Sequence, residues 1–164
     1  MTAATAPELD PLALEQQVCF ALAVTNRAVL AVYRPLLEPL GLTHPQYLVM
    51  LALWDHRKTD ASAMSVKQIA TALQLDSATL SPMLKRLEAL GLVTRSRSAA
   101  DERSTDVALT GAGVALRVRA LEIPPAVVAR LGVDLTELDD LRRVLTRVNA
   151  AALAAGALDQ KESR

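Results

Sequence analysis

Apolar residues recur along the first part of this chain at the three- and four-residue spacing of an α-helix. Asp10 and Pro11 predict the start of this helix, because an aspartate oxygen can accept from free amide groups and proline suits the first helical position. Gly41 ends the helix or its continuation, and Thr43 followed by Pro45 predicts the start of a second helix. The apolar face of the first helix comprises Leu14, Val18, Leu22, Val29, Tyr33 and Leu36.

Two short helices joined by a tight turn are predicted in the middle of the chain. The segment "MSVKQIATALQL" has an apolar helical face, and Asp76 opens the next helix, which Gly91 stops. Two short helices in this arrangement form the helix-turn-helix pattern. The inward residues are Val66, Ile69, Ala70 and Leu73 in the first helix and Leu80, Met83, Leu84 and Leu87 in the second.

Pro82 leaves two possible starts for the second of these helices. It removes one amide donor and crowds the carbonyl group of Ala78 if the helix begins at Ser77. Ser81 and Pro82 could instead be the cap and first position of a later helix. The earlier start is preferred, because a later one leaves the turn after Leu73 too long.

A β-hairpin is predicted directly after the helix-turn-helix. "LVTRSRS" alternates as a strand does, "AADERST" is a polar tip, and "DVALT" is a second strand. The expected fold class is therefore mostly α with a small β-hairpin wing, a winged helix-turn-helix.

The chain returns to helix after Thr110. "GAGVALRVRALEI" runs into Pro124-Pro125, which must break or bend it, and Asp134 caps a last helix. Residues 1–164 are expected to form a single domain, with residues 45–110 as the DNA-binding module and residues 10–44 and 111–156 as flanking dimerisation helices. Because those helical ends are too apolar for an isolated small core, a C2 homodimer is expected.

Composition and charge restrict the class of protein further. The chain has 164 residues, about half of them hydrophobic, four aromatic residues and zero formal net charge. No apolar stretch was expected to reach the roughly 18 residues of a membrane span, and no signal peptide or membrane partner is expected. The single cysteine argues against a secreted disulfide scaffold, so the cytoplasm is the expected location. A nucleic-acid partner would require local concentration of basic charge.

Basic and hydroxylated residues concentrate in the winged-helix region. Small residues near a helix start allow close approach to bases and phosphates, and arginine on a wing can enter a narrow minor groove. Asp101 is expected to hold the guanidinium group of Arg103. The alternative for the helix is a solvated face without a DNA contact. The alternative for Asp101 and Arg103 is an exposed ion pair worth about 0–1 kcal/mol. The candidate DNA contacts are Ser77, Ala78, Thr79, Ser81, Lys85, Arg86, Arg95, Arg97 and Arg103.

Cys19 has two interpretations from its own surroundings. Val18, Phe20 and Leu22 are apolar, and free cysteine often simply packs in a core. The other interpretation is a thiol with a chemical role.

Several segments resemble the MarR family of winged-helix repressors. "DERSTDVALT" is similar to the family's wing signature, and "LDSATLSPMLKRLEALGLVTRSRS" is similar to its recognition helix and first wing strand. "VCFAL", "YRPLLEPLGLTHPQYLVMLALW" and "LEIP" resemble the organic-hydroperoxide-sensing, OhrR-type branch. The resemblance spans roughly residues 10–153.

This resemblance implies a dimeric repressor that binds a pseudo-palindromic double-stranded DNA operator and responds to an organic hydroperoxide. Cys19 would be the thiolate that is oxidised to sulfenic acid. Tyr33 matches one of two tyrosines that hold the thiol across the dimer interface, and His44 stands where the other is expected. Since no second cysteine exists, a small-molecule thiol would form a mixed disulfide, or oxidation would proceed further.

Two other functions remain open on the sequence. One is a MarR-type repressor that senses an aromatic ligand and has an inert Cys19. The other is a thiol peroxidase, in which the wing would have no purpose. Tyr47 and Trp54 either line the thiol pocket or belong to the core. No cofactor is expected, and His44 and His56 are too few for a metal site.

Overall fold

Seven α-helices and three short strands follow one another in residues 10–99 and 101–157, which the computed structural model describes. The fold class is confirmed: most of the chain is helical and the sheet is small. The helices are α1 (Val18–Leu37), α2 (His44–His56), α3 (Val66–Leu73), α4 (Ser77–Ala89), α5 (Gly111–Ala120), α6 (Ile123–Leu131) and α7 (Leu135–Ala154). The strands are β1 (Met64–Ser65), β2 (Val93–Arg97) and β3 (Thr105–Leu109).

The predicted start of the first helix is wrong. The Asp10 carboxylate accepts from the backbone N–H of Leu12 at 2.9 Å, which closes a turn, and a short 3₁₀ helix follows at Leu14–Gln16. Gln17 is extended and interrupts the helical backbone, so α1 begins only at Val18. The predicted end is confirmed, because a second 3₁₀ turn leads into Gly41 at φ 71°.

The predicted starts of α2 and α4 are confirmed. Thr43 and Gln46 form a reciprocal capping box at α2. At α4 the Asp76 carboxylate accepts from the backbone N–H of Thr79 at 2.6 Å. The helix continues through Pro82, as the earlier of the two starts requires.

The core lies where the helix-turn-helix packs on α2 and the sheet. Leu80, Leu84 and Leu87 of α4 are fully buried, and Met83 packs against this cluster. The predicted inward stripe of α4 is therefore confirmed. Its partners in the centre of the core include Leu37, Val49, Met50, Ile69, Val93 and Val107.

The wing is a three-stranded sheet rather than the predicted two-stranded hairpin. β2 and β3 pair antiparallel, with Arg95 opposite Val107. β1 pairs antiparallel with the other edge of β3, with Met64 opposite Val107. A strand of two residues is too short to show alternation, so nothing in the sequence pattern indicated β1.

Hydrogen bonds of Thr110 and Trp54, and a close backbone approach at Gly113, join α5 to the rest of the fold. The Thr110 hydroxyl accepts from the backbone N–H of Gly113 at 3.0 Å and donates to the carbonyl oxygen of Gly91 at 2.6 Å. The Trp54 indole N–H donates to the carbonyl oxygen of Gly113 at 2.9 Å. A Cβ atom on Gly113 would lie 2.0 Å from the carbonyl oxygen of Leu92, so only glycine fits there.

The remaining helix boundaries agree with the sequence. α5 ends at Ala120, and Pro124 and Pro125 lie in the first turn of α6, which confirms the predicted break. The Asp134 carboxylate accepts from the backbone N–H of Thr136 at 2.7 Å at the start of α7, as predicted.

The helical ends leave much apolar surface exposed. On α1, Val18 is 67% exposed and Leu22 is 42% exposed. On α7 the corresponding residues are Leu141, Val144, Leu145 and Val148, each between 39% and 46% exposed. This distribution is what an interface between helices requires.

The apolar character of α1 corrects one expectation. The stretch Val18–Leu40 has 23 residues with a mean hydropathy of 1.2, which is long and apolar enough to cross a membrane by length and composition. It also contains Arg27 and Arg34. Length and composition are weak evidence for a span, because the core helix of a soluble protein and a signal sequence satisfy the same criterion.

Candidate functional site

The first turns of α4 present small and basic side chains to solvent. Ser77, Ala78 and Thr79 are exposed at its start, and Lys85 and Arg86 are exposed further along. The Thr79 hydroxyl donates to Asp76 Oδ2 at 2.8 Å. The hydrogen bonds from Thr79 hold the pKa of the Asp76 carboxyl below its usual range, so the cap stays charged at neutral pH.

Ser81 lies one helical turn from both Ser77 and Lys85, which are exposed. It is half-buried and lines the cleft beside the wing together with Ser77. Ser81 was expected on the outward face, so its predicted DNA contact would be made from the side of the helix next to the wing.

The three predicted wing arginines differ in their surroundings. Arg97 and Arg103 are exposed, as a DNA contact requires. The Arg95 guanidinium is half-buried and donates to Glu88 Oε2 from Nε at 2.9 Å and from Nη2 at 2.7 Å. These bonds lower the pKa of the Glu88 carboxyl. Arg95 therefore joins β2 to the last turn of α4.

Asp101 stabilises the wing turn through the main chain. Its carboxylate accepts from the backbone N–H of Arg103 at 3.0 Å, and its carbonyl oxygen accepts from the backbone N–H of Ser104 at 2.8 Å. The expected contact was with the guanidinium group of Arg103. The observed bonds stabilise the turn through the backbone N–H groups of Arg103 and Ser104, and not through the Arg103 guanidinium group.

Lys67, the second residue of α3, was not among the basic residues that the sequence pattern indicated. It lines a cleft of about 420 Å³ between α3, α4 and the wing, together with Ser77, Ser81 and Arg103. The apolar pattern of α3 indicates only its inward face, and Lys67 is exposed outside that face.

Cys19 is the second residue of α1 and is exposed, so it does not pack in the core of its own chain. Among the described residues, no group of three or more histidine, cysteine, aspartate or glutamate side chains could hold a metal ion.

Tyr33 and His44 lie together, at the far end of α1 from Cys19. Their ring centroids are 5.0 Å apart, with the planes at 71°. Burial raises the pKa of Tyr33 and lowers the pKa of His44. The phenol therefore stays protonated and the imidazole is neutral at pH 7. Cys19 and Tyr33 are fourteen positions apart, which corresponds to about 21 Å along a helix, so one protomer does not bring the predicted thiol site together.

Tyr47 and Trp54 are both buried core residues of α2. The centre of the Tyr47 ring lies 6.2 Å from that of the Tyr33 ring. Burial is the main cause that raises the pKa of Tyr47, and the coulombic interaction with Tyr33 raises it further. Both residues also line a cleft of about 450 Å³ between α2 and α5, with Arg117 and Leu121 on its other side.

Comparisons with known proteins agree with this fold. The MarR family profile matches residues 42–105. The organic hydroperoxide resistance transcriptional regulator of Bacillus subtilis is 42% identical over 137 residues, which are 84% of this chain and 88% of that protein. The HTH-type transcriptional regulator TtmR of Methylorubrum extorquens is 41% identical over 87% of this chain and 73% of its own length.

A solved structure shows the same architecture. Reduced AbfR bound to DNA has a TM-score of 0.72 and 31% identity, over 87% of this chain and 94% of that one. Because these relatives are transcriptional regulators and not enzymes, the thiol peroxidase alternative is removed. The chain therefore belongs to the MarR family of transcriptional regulators.

Proposed function

We propose that this chain is a homodimeric repressor that binds operator DNA and releases it when an organic hydroperoxide oxidises Cys19. The observation that carries the proposal is the placement of Cys19 and Tyr33 on one helix. Both belong to α1, one near each end, and Cys19 is exposed.

Helix geometry indicates how the thiol site would form between two copies. Fourteen residues turn through about 1,400°, about 40° short of four full turns, so Cys19 and Tyr33 lie on nearly the same face of α1. If two copies of α1 pack antiparallel about a two-fold axis near Asn26, each Cys19 lies opposite Tyr33 of the other copy. The exposed Val18 and Leu22 would be buried in the same contact.

The side chains that would meet suit peroxide chemistry. The Cys19 thiolate attacks one peroxide oxygen, the O–O bond breaks, and the alkoxide takes a proton to leave as an alcohol. Tyr33, with its raised pKa, remains a hydrogen-bond donor to the thiolate and to the leaving oxygen. Neutral His44 next to it can donate from one ring nitrogen and accept at the other.

The fate of the sulfenic acid follows from the cysteine count. Cys19 is the only cysteine, so a disulfide to another residue of the same chain cannot form. A small-molecule thiol would condense with the sulfenic acid, giving a mixed disulfide and water. The relatives support redox regulation, since AbfR has been solved in reduced, overoxidised and disulfide-formed states.

The DNA-binding part of the proposal rests on exposed cations in one module. Lys85 and Arg86 on α4 and Arg97 and Arg103 on the wing are all exposed, although the chain has no net charge. In this proposal residues 45–110 bind DNA, and residues 10–44 and 111–156 form the dimer. A regulator of this kind would act in the cytoplasm.

A sensor of an aromatic ligand is the second candidate function. CouR of Rhodococcus jostii, bound to p-coumaroyl-CoA, has a TM-score of 0.68 at 26% identity. The cleft between α2 and α5 offers aromatic and apolar walls with Arg117 at its side. In that case Cys19 would be inert toward peroxide.

Operator affinity of native protein and Cys19→Ser tests the proposal. A duplex selected by the protein from a random library serves as operator, before and after one equivalent of cumene hydroperoxide plus a small thiol. We expect native protein to lose at least about tenfold in affinity, or about 1.4 kcal/mol, while Cys19→Ser binds unchanged. Mass spectrometry should locate the adduct on Cys19. If Cys19→Ser still releases DNA on peroxide treatment, or if native protein with the adduct binds undiminished, Cys19 is not the switch.

A further inference from the structure

The cleft where α1 meets α2 has a titratable side chain in its wall. It is about 570 Å³ in volume, and His44, the first residue of α2, lines it next to Thr43. The His44 ring is half-buried and packs edge-on against Tyr33, with ring centroids 5.0 Å apart. The capping box of Thr43 and Gln46 fixes the first turn of α2, so the imidazole is held at the cleft. The apolar walls are Leu30, Leu37 and Leu42.

The cleft lies on the same face of α1 as Cys19. At about 100° per residue, Leu30 is about 20° from Cys19 around the helix axis, and Leu37 is in line with it. In the antiparallel packing proposed above, Cys19 of the second copy lies opposite Tyr33, which packs against His44. The thiol of one copy is thereby brought to the cleft of the other, beside the imidazole.

The charged residues around the cleft favour an anion. Arg34 and Glu38 line it, and neither forms an ion pair with a partner in residues 10–99 and 101–157. Arg119 of α5 reaches the same 3₁₀ turn and donates to the carbonyl oxygen of Pro39 at 2.7 Å. Two guanidinium groups against one carboxylate favour the thiolate form of a nearby thiol.

The aromatic neighbours leave His44 as the base of the site. Burial raises the pKa of Tyr33 and of Tyr47, so both phenols keep their protons at pH 7. Burial lowers the pKa of His44, so the imidazole has a free lone pair at that pH. An imidazole takes a proton from a thiol more readily than the carboxylate of Glu38 does, because the ordinary pKa of imidazole is closer to that of a thiol.

We propose that His44 moves the proton of the peroxide reaction, taking it from the Cys19 thiol of the second copy and giving it to the leaving alkoxide. The proposal rests on the proposed peroxide response. It assigns a catalytic role to the residue that stands where the family resemblance leads to tyrosine.

The step balances without a further reactant. The thiol transfers its proton to a ring nitrogen of His44, and the thiolate attacks the terminal oxygen of the hydroperoxide. The S–O bond forms, the O–O bond breaks, and its electron pair leaves on the alkoxide. The imidazolium of His44 then protonates the alkoxide. The sulfur is oxidised to sulfenic acid, the hydroperoxide is reduced to an alcohol, and the imidazole ends neutral.

A tyrosine at this position would act differently. A phenol holds its proton at pH 7, so it can donate a hydrogen bond but cannot take up the proton of a thiol. With His44, the rate should depend on two coupled groups. It should fall in acid, where thiol and imidazole are both protonated, and in base, where the imidazolium that protonates the alkoxide is lost.

The first test is the pH profile of Cys19 oxidation by cumene hydroperoxide in the native dimer. Loss of the free thiol is followed by mass spectrometry between pH 5 and pH 9.5, and we expect a bell-shaped profile. His44→Gln should be at least about tenfold slower at pH 7 and should rise to a plateau without a falling limb. His44→Tyr should regain part of the rate but not the falling limb. His56→Gln, which removes the histidine at the other end of α2, should keep the bell.

The second test measures thiolate formation without peroxide. Alkylation of Cys19 by iodoacetamide needs the thiolate but no acid, so native protein should show a single rise with pH and no falling limb. In His44→Gln that rise should move to higher pH. Circular dichroism and sedimentation check that each variant is a folded dimer.

The outcomes separate this proposal from the function on which it rests. If Cys19→Ser abolishes the peroxide response but native protein and His44→Gln share one pH profile, the proton role is wrong and the sensing function stands. Loss of the bell in His56→Gln would assign the proton to the wrong histidine and overturn the proposal. If cumene hydroperoxide does not oxidise Cys19 in native protein, the sensing function fails and this proposal fails with it.

Discussion

Glu88 in the last turn of α4 binds Arg95 of β2 through three hydrogen bonds. The guanidinium donates twice to Oε2, at 2.7 and 2.9 Å, and the backbone N–H of Arg95 donates to Oε1 at 3.1 Å. Both side chains are half-buried, so this pair is better shielded than an ordinary surface ion pair. It joins the last turn of α4 to β2, the first strand of the wing.

Removing the Glu88 charge should weaken operator binding. On electrostatics alone, loss of an acid near DNA strengthens binding, so the two effects have opposite signs. Glu88→Gln should lower the unfolding free energy and reduce operator affinity, because the charge-assisted bonds between Arg95 and α4 are weakened. Urea denaturation and binding at constant salt measure the two effects.

Glu102→Gln is the matched control for that experiment. Glu102 is an exposed acid in the wing turn, so its loss should strengthen binding slightly and leave stability unchanged. If Glu88→Gln behaves as Glu102→Gln does, the Glu88–Arg95 pair does not position the wing.

Gly113→Ala should be strongly destabilising. The new Cβ would lie 2.0 Å from the carbonyl oxygen and 3.1 Å from the carbonyl carbon of Leu92, and both are backbone atoms that cannot turn aside. We expect a loss of about 3 kcal/mol in unfolding free energy, measured by urea denaturation. Gly111→Ala in the same helix has nothing within 4 Å of its Cβ and should be neutral or slightly stabilising. Equal stability of the two variants would contradict the packing described for α5.

His44 should make the protein less stable in mild acid. Burial lowers its pKa in the folded state below the ordinary value of 6.5, so the unfolded chain binds a proton first as the pH falls. The contribution of His44 to stability is complete above about pH 6.5 and decreases down to the folded pKa. Below that value the loss is complete and constant.

Denaturation of native protein and His44→Gln between pH 7 and pH 5 measures this effect. We expect native protein to lose more stability than the variant over that range. An NMR titration gives the pKa of His44 in the folded protein directly. A value above 6.5 would reverse the sign of the prediction.

The exposed apolar face of α7 should be part of the dimer interface. Leu141 and Leu145 are 46% and 39% exposed and lie one turn apart. Leu141→Glu together with Leu145→Glu should shift the protein toward monomer in sedimentation experiments and weaken operator binding, since two half-sites would bind separately. Thr146→Glu, on another side of α7, should leave the dimer intact. A dimer that survives the double substitution would place the interface elsewhere.

The sequence predicted the features that depend on neighbouring residues. The caps at Thr43, Asp76 and Asp134 were predicted correctly because each side chain bonds a backbone group two or three residues away. The start of α1 was wrong because the extended backbone at Gln17 interrupts an otherwise continuous apolar pattern.

Contacts between distant segments could not be predicted in this way. The pairing of β1 with β3, the Glu88–Arg95 bond and the cleft beside Lys67 depend on how separate elements pack, which residue spacing does not reveal. The sequence pattern already placed Cys19 and Tyr33 on one helix, but the contact between Tyr33 and His44 depends on how α1 packs on α2.

The bonds around Thr110 and Gly113 have a consequence for the proposed release of DNA. They connect the end of α4, the end of the wing and the buried indole of α2 at one point. If the proposed function holds, these bonds should make the winged-helix module of each protomer move as one unit when Cys19 at the helical ends is modified. The signal would then change the distance between the two winged-helix modules of the dimer. The DNA-sequence preference of each module would stay the same. Operators with one base pair inserted between the half-sites should distinguish the two states of the protein better than operators with altered half-sites.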